Sequence, residues 1–200
     1  TQFKMPKKGV LLVNVGSPDS PAVKDIKRYL REFLMDERII DLPYLLRYTL
    51  VNGIILNTRP PKTSKAYQKI WNEGSPLIVI TKRLTEKIQQ QVSVPVVMAM
   101  RYGNPNIASG LQQLHDQGVD EVLLMPLYPQ YAMATTQTIE VFAQQLVKKQ
   151  FPKMKLIKFP AFFHRSEYIE ALAEVTRKYL ENNPCDHLLF SYHGVPERHL

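Results

Sequence analysis

Short apolar runs bounded by turn residues recur along the chain and predict buried parallel strands. The four clearest cover residues 10–15, 94–100, 121–127 and 187–192, and a weaker fifth covers residues 155–159. Such runs, apolar on both faces, are typical of strands in a sheet that is covered on both sides. The segments between them have the apolar period of helices, so the pattern predicts helices that connect parallel strands.

Three of these helices have similar predicted starts. Ser20, Ser75 and Asn104 are each followed by proline, so we expect each of them to be an N-cap with proline as the first helical residue. Further helices are predicted over residues 107–115, 136–149 and 167–182.

The order of elements predicts the fold class. One strand is followed by several helices, and then strands and helices alternate, which is the pattern of a doubly wound, mostly parallel α/β sheet. We find no internal repeat and no linker rich in glycine and serine. A single cysteine, Cys185, excludes an internal disulfide, a four-cysteine zinc site and an iron–sulfur cluster within the segment. We therefore expect a cytoplasmic protein.

The distribution of charge narrows the class of partner. Of the net charge of +8, residues 51–100 carry +5, with seven basic and two acidic side chains. Such an excess suits an anionic small molecule, an anionic membrane surface or nucleic acid, although for Lys82 to Lys87 a solvated, lysine-rich helix face is the favoured interpretation. Nucleic acid ranks low because we expect no exposed aromatic residues interleaved with the basic ones, and the sequence has no helix-turn-helix, RNA-recognition or zinc-finger pattern.

Residues 42–56 form an unusually apolar segment with a single charge, Arg47. It is either a deeply buried helix or an apolar lip at the mouth of a site, and the second alternative suits a peripheral membrane contact. Its apolar residues are Leu42, Leu45, Leu46, Leu50, Val51, Ile54, Ile55 and Leu56.

Candidate chemistry lies where the predicted strands end, because ligands of open α/β sheets bind beyond the carboxyl ends of the strands. Arg101 and His193 each directly follow an apolar run, which should hold them rigidly over the crevice. The glycine loops of nucleotide-binding proteins and the nucleophile elbow of hydrolases are missing. The absence of these motifs argues against nucleotide binding and against acyl transfer.

His193 is the strongest candidate among the histidines. His187 lies roughly 20 Å away along the predicted strand, so the two cannot share a metal ion. Glu197 has the spacing of a helical ligand pair with His193, but Gly194 and Pro196 disfavour a helix there. At the end of a strand, His193 can serve as a general acid or base or as a metal ligand.

Taken together, the motifs resemble those of the ferrochelatase family, the terminal enzymes of haem synthesis. Residues 11–18 (LLVNVGSP) resemble the first strand and loop of that family, and the resemblance runs from about residue 9 to residue 199. The other motifs follow in family order: Arg59-Pro60 through Tyr67, Gly74-Ser75-Pro76-Leu77, Arg101-Tyr102, Tyr128-Pro129-Gln130-Tyr131 and Ser191-Tyr192-His193-Gly194-Val195-Pro196.

The resemblance implies two similar α/β halves, a porphyrin cleft between them and the insertion of ferrous iron into protoporphyrin IX or coproporphyrin III. It implies Fe(II) as a substrate, no organic cofactor, and His193 as the catalytic residue, which either takes pyrrole protons or binds the iron. The positions that match substrate-binding residues are Val15 against the macrocycle face, Arg59, Tyr67, Ser75 and Arg101 at or near the porphyrin, and Tyr131 in the inner cleft.

In the family, a carboxylate beyond the catalytic histidine works opposite it, and this sequence stops at Leu200. We therefore expect residues 1–200 to form an N-terminal α/β domain that ends at the first strand or strands of a second half, and to lack turnover on their own. The segment leaves open whether an iron–sulfur cluster exists outside it. Two other functions stay open: a non-catalytic tetrapyrrole-binding module, and a basic adaptor that binds a membrane surface or nucleic acid.

Overall fold

A computed structural model describes residues 5–199 and shows helices around a four-stranded sheet. All strand pairs are parallel, and the order of the strands in the sheet is β2-β1-β3-β4. The predicted α/β class is therefore confirmed, and the weakest predicted strand forms one edge of the sheet. The strands are β1 (Lys8–Ser17), β2 (Val96–Gly103), β3 (Glu121–Pro126) and β4 (Lys155–Lys158).

Helices fill most of the chain between the strands. Two π-helical segments, Thr49–Ile55 and Met133–Gln137, and a final 3₁₀ turn, Glu197–His199, accompany them. The α-helices are α1 (Val23–Leu34), α2 (Tyr44–Tyr48), α3 (Leu56–Thr58), α4 (Pro60–Ile70), α5 (Pro76–Gln89), α6 (Ile107–Asp116), α7 (Thr138–Gln150) and α8 (Ser166–Asn182).

One of the three predicted N-caps is confirmed. Helix α5 begins at proline directly after Ser75, as expected. The predictions for Ser20 and Asn104 are wrong by two residues, since Ala22 and Asn106 are the N-caps of α1 and α6. Asn106 rather than Asn104 caps α6, because its side chain accepts a hydrogen bond from a backbone N–H in the first turn of the helix.

Helices cover both faces of the sheet. Helix α5 lies against one face, where Asn14 Nδ2 donates to Thr81 Oγ1 at 3.4 Å. On the other face, α6 and α7 pack on β1, β2 and β3 in a core cluster without polar side chains. The largest fully buried members of that cluster are Leu11, Val13, Ile107, Leu111, Leu114, Leu124 and Ile139. A second core cluster, around Ile26, Val51, Leu56 and Tyr102, joins α1 to the segment 42–58.

The segment 42–56, which we call the lip, is only partly buried and is therefore not the deeply buried helix of the first alternative. Val51 and Leu56 anchor it in the second core, whereas Leu45 is 70% and Leu46 57% exposed. Its one charged residue, Arg47, is buried instead. Among residues 5–199, none of the helices has the length and apolar character that crossing a bilayer requires.

The strand predicted over residues 187–192 does not form, and this prediction is wrong for the described chain. The segment has no regular structure, and Leu189 is 91% exposed. A strand needs a neighbour to satisfy its backbone N–H and C=O groups, and no strand among residues 5–199 pairs with this one. His193 therefore does not follow a strand, contrary to expectation.

Candidate functional site

The topology of the sheet places a crevice between β1 and β3. From β1 the chain goes to β2 on one side of it and then to β3 on the other, so the direction of winding reverses between β1 and β3. Ligands of open α/β sheets bind at this reversal, beyond the carboxyl ends of the strands. A cavity of about 480 Å³ lies there, with Val15 from the end of β1 and Tyr128 from the loop after β3 in its wall.

His193 lies in the wall of this crevice, which we call the His193 cavity. The wall is mostly apolar, and helix α1, the loop after it, the π-helical segment 133–137 and the last described residues contribute to it. Besides Val15, Tyr128 and His193, the lining residues are Phe33, Ile39, Asp41, Ala132, Ala134, Thr135, Gly194, Val195, Pro196, Arg198 and His199.

The hydrogen bond of His193 defines which ring nitrogen is basic. Its Nδ1 lies 2.7 Å from the carbonyl oxygen of Gly194. A carbonyl oxygen only accepts, so Nδ1 carries a hydrogen in this arrangement, and in the neutral ring the lone pair is then on Nε2. The neutral imidazole can therefore accept a proton, or donate its lone pair to a metal ion, through Nε2. Among residues 5–199 there is no group of three histidine, cysteine or acidic side chains that could hold a metal ion.

Of the predicted substrate-binding residues, Val15 alone lines the His193 cavity. Arg59 is exposed just before α4, and Tyr67 is half-buried on that helix. Ser75 is buried at the start of α5, and Tyr131 is 39% exposed in the loop after β3. Burial raises the pKa of the Tyr67 hydroxyl above its ordinary value.

Arg101 lies within β2, which continues to Gly103, and not beyond the strand end as expected. Its Nη2 donates to Asp36 Oδ2 at 2.6 Å and its Nε to Thr138 Oγ1 at 2.9 Å. The guanidinium also lies over the rings of Tyr102 and Phe142, 4.5 and 4.2 Å from their centroids. Arg101 thus joins β2 to the loop after α1 and to the start of α7.

Asp36 is the buried centre of this network. Its Oδ2 also accepts hydrogen bonds from Tyr102 Oη at 2.9 Å and from Thr138 Oγ1 at 2.5 Å. Burial by itself raises the pKa of the Asp36 carboxyl, but the hydrogen bonds from Thr138 and the Arg38 N–H, with the Arg101 charge, outweigh it. The pKa therefore lies below the ordinary value, and Asp36 is a carboxylate at neutral pH.

Two glycines let the ends of β1 and β2 run side by side next to the crevice. Gly16 has φ of +111° and Gly103 has φ of +79°. A Cβ atom at Gly16 would overlap the carbonyl oxygen of Tyr102, its partner in the sheet. These positions require glycine for both the backbone angle and the close approach.

The sequence left several residues of the site unassigned. Phe33 of α1 and Ile39 of the loop after it line the His193 cavity, although neither was predicted as a site residue. Asp36 was missed altogether. The sequence does place this acidic residue directly after the apolar residues 33–35. A carboxylate that follows a buried apolar run is itself prone to burial and then needs hydrogen-bond or charged partners.

Comparisons with known proteins agree with the motif resemblance. The ferrochelatase family model matches residues 7–200. A protein named ferrochelatase from Opitutus terrae is 46% identical over 200 residues, covering 98% of this chain and 58% of its own length. The ferrochelatases of Ectopseudomonas mendocina and Bdellovibrio bacteriovorus are 48% and 41% identical, with 56% and 59% of their own lengths covered. The chain thus spans less than two thirds of the length of these relatives. On the strength of this match, the chain belongs to the ferrochelatase family.

Proposed function

We propose that this protein acts as a ferrochelatase, a lyase that inserts ferrous iron into a porphyrin in haem biosynthesis. The observation that carries the proposal is His193, which matches the histidine of the family motif and lines an apolar crevice at the reversal of the sheet. The relatives at 41–48% identity, all named ferrochelatase, support the same activity.

The reaction replaces two pyrrole N–H protons of the porphyrin by one Fe(II) ion. Two protons must leave the macrocycle, so a basic group beside its face lowers the barrier to their loss. His193 offers Nε2 as its basic atom, since Nδ1 is turned towards the Gly194 carbonyl, and His199 is a second imidazole in the wall of the cavity. We assign His193 either the role of proton acceptor or that of iron ligand, and a neutral imidazole suits both.

The proposed substrate is a flat apolar disc with carboxylates on its rim. Phe33, Ile39 and Val15 supply an apolar wall for the face of the disc. Arg59 is an exposed cation, available to a propionate, and we place Tyr67, Ser75, Arg101 and Tyr131 around the same substrate on the strength of the motif match. Arg101 would then lie near the porphyrin with its guanidinium fixed in place by the ion pair with Asp36.

Two unpartnered apolar surfaces support the proposal that residues 1–200 form the N-terminal α/β domain of a two-lobed protein. Helix α8 has no buried residue. It nevertheless carries large apolar side chains, and Leu172, Val175 and Tyr179 are 50%, 69% and 67% exposed. The apolar segment 187–192 likewise lies unpaired. We infer that both pack in a second half, where the segment 187–192 would gain strand neighbours.

The exposed lip of residues 42–56 supports a peripheral membrane contact in a cytoplasmic protein. Leu45, Leu46 and Ile54 present their side chains to solvent, which costs free energy unless another apolar surface covers them. We infer that a bilayer surface does so.

The proposed activity is tested with the protein expressed from its complete reading frame. Porphyrin metallation with Fe(II) is followed by absorbance, and porphyrin binding by quenching of Trp71 fluorescence. We expect His193→Ala to lose metallation and to keep porphyrin binding. His164→Ala is the matched control, because His164 is exposed and does not line the cavity. Full metallation by His193→Ala would refute the role of His193, and no metallation by the unmodified protein would refute the function.

A further inference from the structure

A second pocket next to the His193 cavity has two arginines in its wall. It measures about 550 Å³ and shares Asp41 with that cavity. We call it the Arg38–Arg47 pocket, after the two arginines that line it. None of the predicted substrate-binding residues lies in its wall.

Arg47 is a buried cation with no opposite charge next to it among the described residues. Its side chain belongs to a residue that is only 7% exposed. Its Nη1 donates to the carbonyl oxygens of Ile40 at 3.2 Å and Leu42 at 2.8 Å. Among residues 5–199, no carboxylate oxygen lies within 4.0 Å of the guanidinium. Burying a charge is costly without a counter-ion, so the missing anion is a feature to explain.

Both arginines also have N–H groups that donate no hydrogen bond within the described chain. The Nε atoms of Arg38 and Arg47 are buried and make no hydrogen bond within the described chain. The Nη2 atoms make none there either. Each guanidinium thus keeps N–H groups without a partner in the described chain, and guanidinium N–H groups form strong, charge-assisted hydrogen bonds with carboxylate and phosphate oxygens.

The acidic residues of the pocket already have cations of their own. Glu37 Oε1 lies 3.2 Å from Arg38 Nη1, and Asp41 Oδ2 accepts a hydrogen bond from Arg198 Nε at 2.9 Å. Neither carboxylate contacts Arg47. The pocket therefore keeps an unbalanced positive charge at Arg47.

We propose that the Arg38–Arg47 pocket binds a small oxyanion, a carboxylate or a phosphate group, through unpaired N–H groups of the two guanidiniums. Binding supplies the counter-ion that Arg47 lacks. The inference rests on the contacts of Arg38 and Arg47 and stands apart from the proposed function, so a protein without metallation activity would still bind the anion.

The test measures anion binding to the protein expressed from its complete reading frame. Thermal unfolding is followed in inorganic phosphate, in acetate and in chloride at one ionic strength and pH, and apparent affinities come from the titrations. We expect phosphate, acetate or both to raise the Tm above its value in chloride. Stabilisation by phosphate alone identifies a phosphate site, and stabilisation by acetate alone identifies a carboxylate site.

Variants decide whether the two arginines are responsible. In Arg47→Gln we expect the apparent affinity to fall roughly tenfold or more, as for loss of a charge-assisted hydrogen bond. Arg38→Gln provides the same test should Arg47→Gln fail to fold. The control is Arg83→Gln, because Arg83 is exposed and pairs with Glu73 away from the pocket. Weaker binding in either variant supports the proposal. Unchanged binding in both, or no stabilisation beyond chloride in the unmodified protein, overturns it.

Discussion

Asp36 and Arg101 are 65 residues apart in the sequence, yet their side chains form a buried ion pair with a distance of 2.6 Å. The pair ties the loop after α1 to β2. That loop also carries Ile39 and Asp41, which line the His193 cavity. The ion pair therefore fixes one wall of the candidate site from outside it.

Removing one partner of this pair is expected to destabilise the protein strongly. In Asp36→Ala, Arg101 stays mostly buried without its counter-ion, and such a loss typically costs about 3–5 kcal/mol of unfolding free energy. Urea unfolding measures the change. Glu174→Ala is the control, because Glu174 and Lys178 form an exposed pair that contributes little. Equal stability of the two variants would contradict a structural role for the buried pair.

The lowered pKa of Asp36 predicts a loss of stability in acid. A carboxyl with a lower pKa in the folded than in the unfolded state stabilises the fold at a pH above the unfolded value, about 3.9. The contribution declines as pH falls through the two values. We therefore expect the unfolding free energy to drop below about pH 4, and to drop less steeply in Asp36→Asn. Urea titrations from pH 7 to acid check this, and parallel curves for the two proteins would rule it out.

Gly16→Ala is expected to destabilise the strand ends beside the crevice. The backbone angle of Gly16 is unfavourable for alanine, and the added Cβ would overlap the Tyr102 carbonyl. Strain of this kind costs roughly 1–3 kcal/mol before the overlap is added. Thermal unfolding measures it against Gly53→Ala, because a Cβ at Gly53 meets no atom within 4 Å. A Gly16→Ala protein as stable as Gly53→Ala would show that the close approach does not matter.

If the lip contacts the membrane, the affinity for vesicles should depend on its exposed leucines. Leu45→Ser with Leu46→Ser removes two exposed leucines, and each leucine side chain contributes about 1.5–3 kcal/mol when it leaves water. We expect sedimentation with anionic phospholipid vesicles to weaken at least about tenfold. Ile80→Ser is the matched control, since Ile80 is 64% exposed on α5, outside the lip. If the control weakens binding as much as the lip variant, the lip is not the contact.

The sequence by itself determined the class of fold and the family. The apolar runs at residues 10–15 and 121–127 became β1 and β3, because a covered parallel sheet buries both faces of such a run. The Ser75-Pro76 start of α5 also followed from local chemistry. The family motifs could be read for a similar reason, since each is a short, contiguous set of residues. The roles assigned to the site residues stay predictions: Val15, Arg59, Tyr67, Ser75, Arg101, Tyr131 and His193.

Only the tertiary structure decided which side chains meet. The partners of Asp36 come from β2 and α7, and no local pattern encodes a contact between residues so far apart. The strand predicted at residues 187–192 fails for the same reason, because it too depends on a contact with residues distant in the sequence. Its apolar pattern favours a strand, but a strand exists only when a neighbour accepts its hydrogen bonds, and that neighbour is not among residues 5–199. Apolar periodicity is a local property, whereas strand pairing, ion pairing and cavities depend on residues that folding brings together.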